Sequence, residues 1–116
     1  MTKVIAEKRS YGSGETENVG IDYTDHLDTG ETLSGSLTVV EQTSPTELTL
    51  ASKQINTAAT KEILGRTVAI SNAVLFTVSG GSSTGGTNED GFYTIRITVT
   101  SSESRVIERD LIVQVI

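Results

Sequence analysis

Cysteine and tryptophan are absent from the 116-residue chain, proline and histidine occur once each, and aromatics amount to three tyrosines and two phenylalanines. Without cysteine there is neither a disulfide framework nor a thiolate metal site, which fits a reducing cytoplasm or a protein assembled there. Basic residues are also few. Nine Lys and Arg stand against fifteen Asp and Glu, for a formal net charge of −6. The basic residues are scattered, whereas a phosphate backbone requires them clustered, so nucleic acid is excluded as a partner. No window approaches the roughly 20 apolar residues of a membrane helix. Val4, Ile5 and Ala6 are followed at once by Glu7, Lys8 and Arg9. Three apolar residues are too few for a signal-peptide core, so the expectation is a chain with neither export signal nor membrane anchor.

What is present is alternation. Tyr93, Ile95, Ile97 and Val99 alternate with Thr94, Arg96, Thr98 and Thr100, and Ile107, Leu111, Val113 and Val115 share one face of the run 106–116. Period-two patterning of this kind predicts strands with one buried and one wet face. The polar stretch 101–104 between them predicts a β-hairpin. Leu37 and Val39 predict a strand over 33–41, Leu48 and Leu50 one over 47–51, Val68 and Ile70 one over 66–70, and Val74, Phe76 and Val78 one over 73–78. Ile21, Tyr23 and Leu33 read as core anchors, residues 24–27 as a single helical turn, and Asp28-Thr29-Gly30 as turn chemistry. Residues 52–60 are ambiguous, with Ile55 the one strong anchor, and residues 58–64 fit a helical turn or a loop equally well.

Residues 1–20 are polar and without clear period, apart from a short strand expected at 3–7, and read as an extended arm. Such a segment buries too little to order itself, and is ordered only when a domain edge, a symmetry mate or a larger assembly holds it. Frequent turns and seven or so short strands predict an all-β fold, a small antiparallel β-sandwich of residues 21–116 behind that arm. The label immunoglobulin-like is architectural only, because the antibody-type disulfide and its tryptophan are missing.

The residues that invite a chemical reading mostly favour a structural one. Asp22, Asp25, His26 and Asp28 match neither an EF-hand loop nor a zinc spacing, and read as a solvated turn. The run Gly80-Gly81-Ser82-Ser83-Thr84-Gly85-Gly86 lacks the following Lys and helix of a phosphate-binding loop, and reads as a flexible hairpin loop over 79–91. Asn88-Glu89-Asp90 has no second acidic cluster to complete a calcium site. A single histidine gives no discriminating spacing for nucleophilic catalysis. Glu103, Glu108 and Asp110 are expected to pair with Arg96, Arg105 and Arg109 across the hairpin. No cofactor, metal or catalytic group is expected.

Two stretches carry a family likeness. Gly20-Ile21-Asp22-Tyr23, Leu27 and Gly30-Glu31-Thr32-Leu33-Ser34 form the first. The second comprises Val78-Ser79-Gly80-Gly81, Tyr93-Thr94-Ile95, Thr100-Ser101-Ser102, Arg105 to Leu111 and Val113-Gln114-Val115. Together they resemble the opening and ending of the fiber-tail adaptor-like small virion proteins of tailed bacteriophages. Tyr23 stands where that family commonly has Trp, and the loop after Gly81 is long. The resemblance implies a non-enzymatic structural protein of the virion, assembled in the bacterial host cytoplasm. It would bind tail, neck or major capsid proteins in many symmetric copies or as a homo-oligomer. An accessory adaptor or connector of tail or neck is the first expectation and a capsid decoration (cement) protein the alternative. A glycan- or surface-binding immunoglobulin-like module is the rival from another class. On this reading the arm and the glycine loop make the protein contacts, through Lys3, Val4, Ile5, Tyr11, Val19, Gly80, Gly81, Gly85, Gly86 and Asn88. Strand edges would add β-augmentation, and Arg105, Glu108 and Arg109 would form a charge ladder fixing hairpin register.

Overall fold

In a computed structural model, which describes residues 8–43, 45–86 and 90–116, alternation becomes sheet almost everywhere it was expected. The hairpin of β8 (Phe92–Ser101) and β9 (Val106–Val115) is the longest paired unit, in unbroken register from Phe92 opposite Gln114 to Thr100 opposite Val106. Every second residue of β8 is buried, from Tyr93 through Ile95, Ile97 and Val99 to Ser101. Ser104, at φ 61°, closes the turn, and its amide donates to the Ser101 carbonyl at 2.9 Å.

β3 (Leu33–Glu41) joins β8 antiparallel, and β1 (Lys8–Tyr11) joins β9 parallel, giving a four-stranded sheet ordered β1-β9-β8-β3. A second sheet, ordered β2-β7-β4, is built from β2 (Thr16–Asp22), β4 (Leu48–Ile55) and β7 (Ala73–Gly80). A small hairpin, β5 (Lys61–Ile63) with β6 (Arg66–Val68), is the remaining strand pair among the described residues. Thr24–His26 form one 3-10 turn, where a helical turn was expected.

The two larger sheets enclose an aliphatic core in which Val19, Ile21, Val74, Phe76 and Val78 face Ile95, Ile97, Val99, Leu111 and Val113. The fold is thus all-β, a small sandwich of mainly antiparallel sheets. Each aliphatic side chain fully withdrawn from water contributes about 1.5–3 kcal/mol, and these rows are the principal cohesive force. Ile63 and Val68 bury against Ala73 and Leu75 in a second, smaller cluster that seats the β5–β6 hairpin on the outer face of the three-stranded sheet.

Two expectations change. From Lys8 onward the segment read as an arm is sheet: β1 and β2 belong to the sandwich, joined by a turn in which Glu15 N donates to Gly12 O at 3.0 Å. Tyr11 and Val19 are core residues whose alternation was masked by polar neighbours, and Ile21 is the core anchor it was expected to be. The stretch 58–64, read as helical turn or loop, contains β5. Lys3, Val4 and Ile5, the short strand expected at 3–7, and Asn88 lie outside the described residues.

Candidate interaction surface

At one end of the sandwich the turn of residues 28–31 folds Glu31 inward. Gly30 takes φ 82°, the Glu31 amide donates to Asp28 O at 2.9 Å, and the Asp28 amide donates back to Glu31 Oε1 at 2.8 Å. The Glu31 side chain is fully buried. Arg105, just beyond the β8–β9 turn, grips it with both arms of its guanidinium: Nε donates to Oε2 at 2.8 Å and Nη2 to Oε1. Ser101 Oγ donates to Oε2 as well, and Arg105 Nη2 also reaches His26 O at 2.6 Å. The Arg105 guanidinium, with the Ser101 hydroxyl and the Asp28 amide, holds the Glu31 carboxyl down to about 2, so it is ionised throughout the physiological range. A carboxylate this fully engaged latches three segments together and is unavailable as a base.

This geometry accounts for the acidic residues nearby. Asp28, Glu31 and Glu103 place oxygens within metal-ligand distance of one another, but both Glu31 oxygens are committed to Arg105. Asp22 Oδ1 accepts from the Thr24 amide at 2.9 Å and from its hydroxyl, and Oδ2 lies 3.5 Å from Arg66 Nε. Asp25 pairs with Arg66 as well, at 3.3 Å. The Asp22–Asp25–His26–Asp28 group is therefore a turn, as expected, with Arg66 its ionic partner. His26 is not merely solvated: its Nε2 meets Arg109 Nη2. Burial, then the Arg109 charge, lowers its pKa, so the ring is neutral at pH 7 and accepts from Arg109.

Arg109 departs from the expected charge ladder. It occupies an inward position of β9 at 6 % exposure, its guanidinium 5.5 Å from the centroid of the fully buried Tyr23 ring. The Tyr23 hydroxyl is buried without a hydrogen-bond partner among the described residues. On the outer face Arg96 does pair across the hairpin as expected, with Asp110 directly opposite, at 2.9 Å, and Glu108 on the diagonal, at 2.8 Å. Arg105 is in the latch. Of the three ladder residues, Glu108 alone is placed as expected.

The opposite end is closed by a second buried carboxylate. Glu41, 6 % exposed, accepts from the Glu47 and Leu48 amides at 3.0 and 2.8 Å, binding the β3–β4 connection. The glycine loop packs down on this end. Ser82 N donates to the Tyr93 hydroxyl at 3.0 Å, and that hydroxyl donates to Glu47 Oε1 at 3.2 Å. Tyr11 Oη donates to Gly80 O at 3.1 Å; burial, with Tyr93 and Glu41 nearby, pushes this phenol up to about 12. The glycines are required by contact. A Cβ on Gly81 would come within 3.1 Å of the Tyr93 ring, one on Gly85 within 2.5 Å of its hydroxyl, and one on Gly86 within 2.2 Å of Phe92 O. Of the residues expected to touch a partner, Gly80, Gly81, Gly85 and Gly86 are half-buried in this loop, and Tyr11 and Val19 are buried in the core.

Two strand edges are guarded. β3 shifts register between Leu33 and Leu37, with Gly35 at φ 77°, and β4 between Ala51 and Gln54, with Ser52 at φ 54° and Lys53 beside it. Bulges and an edge lysine oppose pairing with another chain, so β-augmentation along these edges is disfavoured.

Among the described residues the most exposed large apolar side chain is Leu64, ahead of Val106 and Ile116. Ile63 pairs with Arg66, leaving Leu64-Gly65 as a two-residue hairpin loop with φ 51° and 77°. Consecutive positive φ angles match the twist of a hairpin but favour Asn, Asp or Gly at the first position. A leucine there costs about 1–2 kcal/mol. At 77 % exposure it recovers nothing through burial. Sequence reasoning missed it because Leu-Gly is not an expected hairpin turn; the signal available was Gly65 between the short runs Lys-Glu-Ile and Arg-Thr-Val.

No protein-family model matches the chain, and no curated protein matches it. No helix among the described residues is long and apolar enough to cross a membrane.

Proposed function

We propose that the chain is a non-enzymatic structural protein of a tailed-bacteriophage virion, an accessory adaptor binding tail or neck proteins. The observation that carries the reading is the latch. Its acid comes from the Gly30-Glu31-Thr32-Leu33 stretch and its partners, Ser101 and Arg105, from the closing stretch, so the two halves of the family likeness form one structural unit. Residue types that recur in order and also meet in space are better explained by a shared design than by generic strand composition. The same contacts argue against acid–base chemistry at this end, because Glu31 is ionised throughout the physiological range and its oxygens are taken.

A rigid sandwich with both ends tied by buried carboxylates suits a part that transmits force or holds position. The test is removal of its gene from the phage that encodes it, followed by electron microscopy of the lysate. Loss of the adaptor leaves filled heads and separate tails. Loss of a capsid cement protein leaves joined particles whose heads break on heating. Normal, infectious, heat-stable particles would overturn the reading.

A further inference from the structure

β9 is covered along only part of its outer side. β1 pairs with it from Lys8 opposite Ile112 to Tyr11 opposite Val115, and from residue 106 to 111 no strand among the described residues pairs on that side. Backbone direction along β9 follows residue parity. Ser101 N donates to Arg105 O and Val115 N to Gly91 O, both at 2.8 Å, so odd-numbered residues turn their backbone groups toward β8. Ile116 N donates to Tyr11 O at 3.0 Å, so even-numbered ones turn theirs toward β1. Val106, Glu108 and Asp110 thus present N–H and C=O groups at an open edge, in a stretch whose register has no bulge. Beneath this edge, between β9 and β2, lies a cavity of about 260 Å³ in which Ile21, Ile63 and Leu111 stand beside Arg109.

We infer that residues 3–7 of the same chain dock on this edge, continuing β1 parallel to β9 in the register that Lys8 sets. Seven residues precede Lys8, and five of them reach from Leu111 back to Ile107. In that register the Asp110 amide donates to Ile5 O and the Glu108 amide to Lys3 O, the pattern Ile116 already shows with Tyr11. The Glu7 and Ile5 amides donate in return to Asp110 O and Glu108 O. Paired residues share a face, as the buried Tyr11 and Val115 do. Ile5, opposite Arg109, and Glu7, opposite Leu111, therefore face the cavity, an aliphatic side chain for Ile21 and Ile63 and a carboxylate beside a guanidinium. Val4 and Ala6 face outward beside Glu108 and Asp110, which keep Arg96. Lys3, opposite the buried Ile107, is long enough to carry its ammonium out to water. The β9 edge of a second copy is the poorer occupant. Antiparallel pairing about a two-fold axis preserves each face, so Glu108 and Asp110 would oppose the same acids, with two carboxylates to each Arg96. A segment of the same chain also docks without the entropy cost of association. The edge is thereby reserved, and a partner that adds a strand there has to displace residues 3–7. The inference stands on the β9 edge and the β1 register alone; its failure would leave the virion reading intact.

The test is amide hydrogen exchange, read residue by residue by NMR, on the whole chain, a variant lacking residues 2–7, and the substitutions Ile5→Pro and Ala6→Pro. The Glu108 and Asp110 amides should exchange at least about tenfold more slowly in the whole chain than in the truncated one. The β8 amides should be equally protected in both, which shows that the sandwich survives the truncation. Ile5→Pro removes a ladder donor and should behave like the truncation, whereas Ala6→Pro removes an amide that points to solvent and should keep the protection. Glu108 and Asp110 amides that exchange equally fast with and without residues 2–7 would overturn the inference. So would an Ile5→Pro variant that keeps the protection or an Ala6→Pro variant that loses it. Protection that grows with protein concentration, alongside a sedimentation mass above the 12.3 kDa monomer, would assign the edge to a second copy and overturn it equally.

Discussion

Glu31 and His26, a few residues apart in the chain, set opposite ends of the acid response. The folded state holds the Glu31 carboxyl near 2, below its ordinary 4.5, so its contribution is complete above 4.5 and disappears as pH falls toward 2. His26 is depressed from 6.5, chiefly by burial and then by Arg109, so the folded protein resists its protonation and stability declines as pH drops below 6.5. Denaturant titrations across this range should show both slopes. Glu31→Gln should lower stability at pH 7 and flatten the slope below 4.5, whereas His26→Gln should flatten only the one that begins near 6.5. Arg105→Lys should behave as a loss, because an ammonium cannot span both carboxylate oxygens. At two other positions backbone conformation decides. Leu64→Gly should raise stability by about 1 kcal/mol by relieving a left-handed leucine. Gly91→Ala should do the reverse, by more than about 1 kcal/mol. Gly91 sits at φ 81°, and its added Cβ would lie 2.4 Å from Val115 O. Melting curves of the two variants measure both effects.

At the scale of elements, what was legible followed the alternation. β8, β9, β7 and β3 each carry enough apolar residues in period two to declare a face, and the structure buries that face. β1 and β2 were not legible, because Tyr11, Val19 and Ile21 are separated by charged, polar and glycine positions and β1 pairs parallel with the far end of the chain. The β5–β6 hairpin was hidden by its three-residue strands and a turn that departs from the favoured residues. The latch was half legible: both stretches were marked by the family likeness, but Arg105 was expected to pair across its own hairpin, and Glu31 was not expected as its partner. Arg109 was misjudged because a basic residue at a core-facing position of β9 is acceptable only when something tolerates its charge, here the Tyr23 ring and a neutral His26. The seating of the small hairpin is testable by itself. Ile63→Ala should cost about 2–3 kcal/mol if it acts as an ordinary core truncation. Amide exchange over residues 61–68 should accelerate more than in β8, which would show the hairpin loosening before the sandwich opens.

The whole molecule is a light, mainly aliphatic sandwich whose ends are tied by buried carboxylates, with tyrosines packed beside them, rather than by disulfides. Glu31 joins residues 26–31 to the β8–β9 turn, and Glu41 joins β3 to the start of β4. Such a block keeps its shape while its surface remains available, which is what a repeated part of an assembly requires. The measurement that tests this account most directly is uptake of the purified, labelled chain by phage particles assembled without it, with bound copies counted at saturation. The account predicts saturable binding of about a dozen copies at a single vertex, as a closed ring at the neck or tail would require. Saturation at hundreds of copies spread over the head would replace the adaptor with a capsid cement protein. No uptake by intact particles would contradict the virion assignment itself.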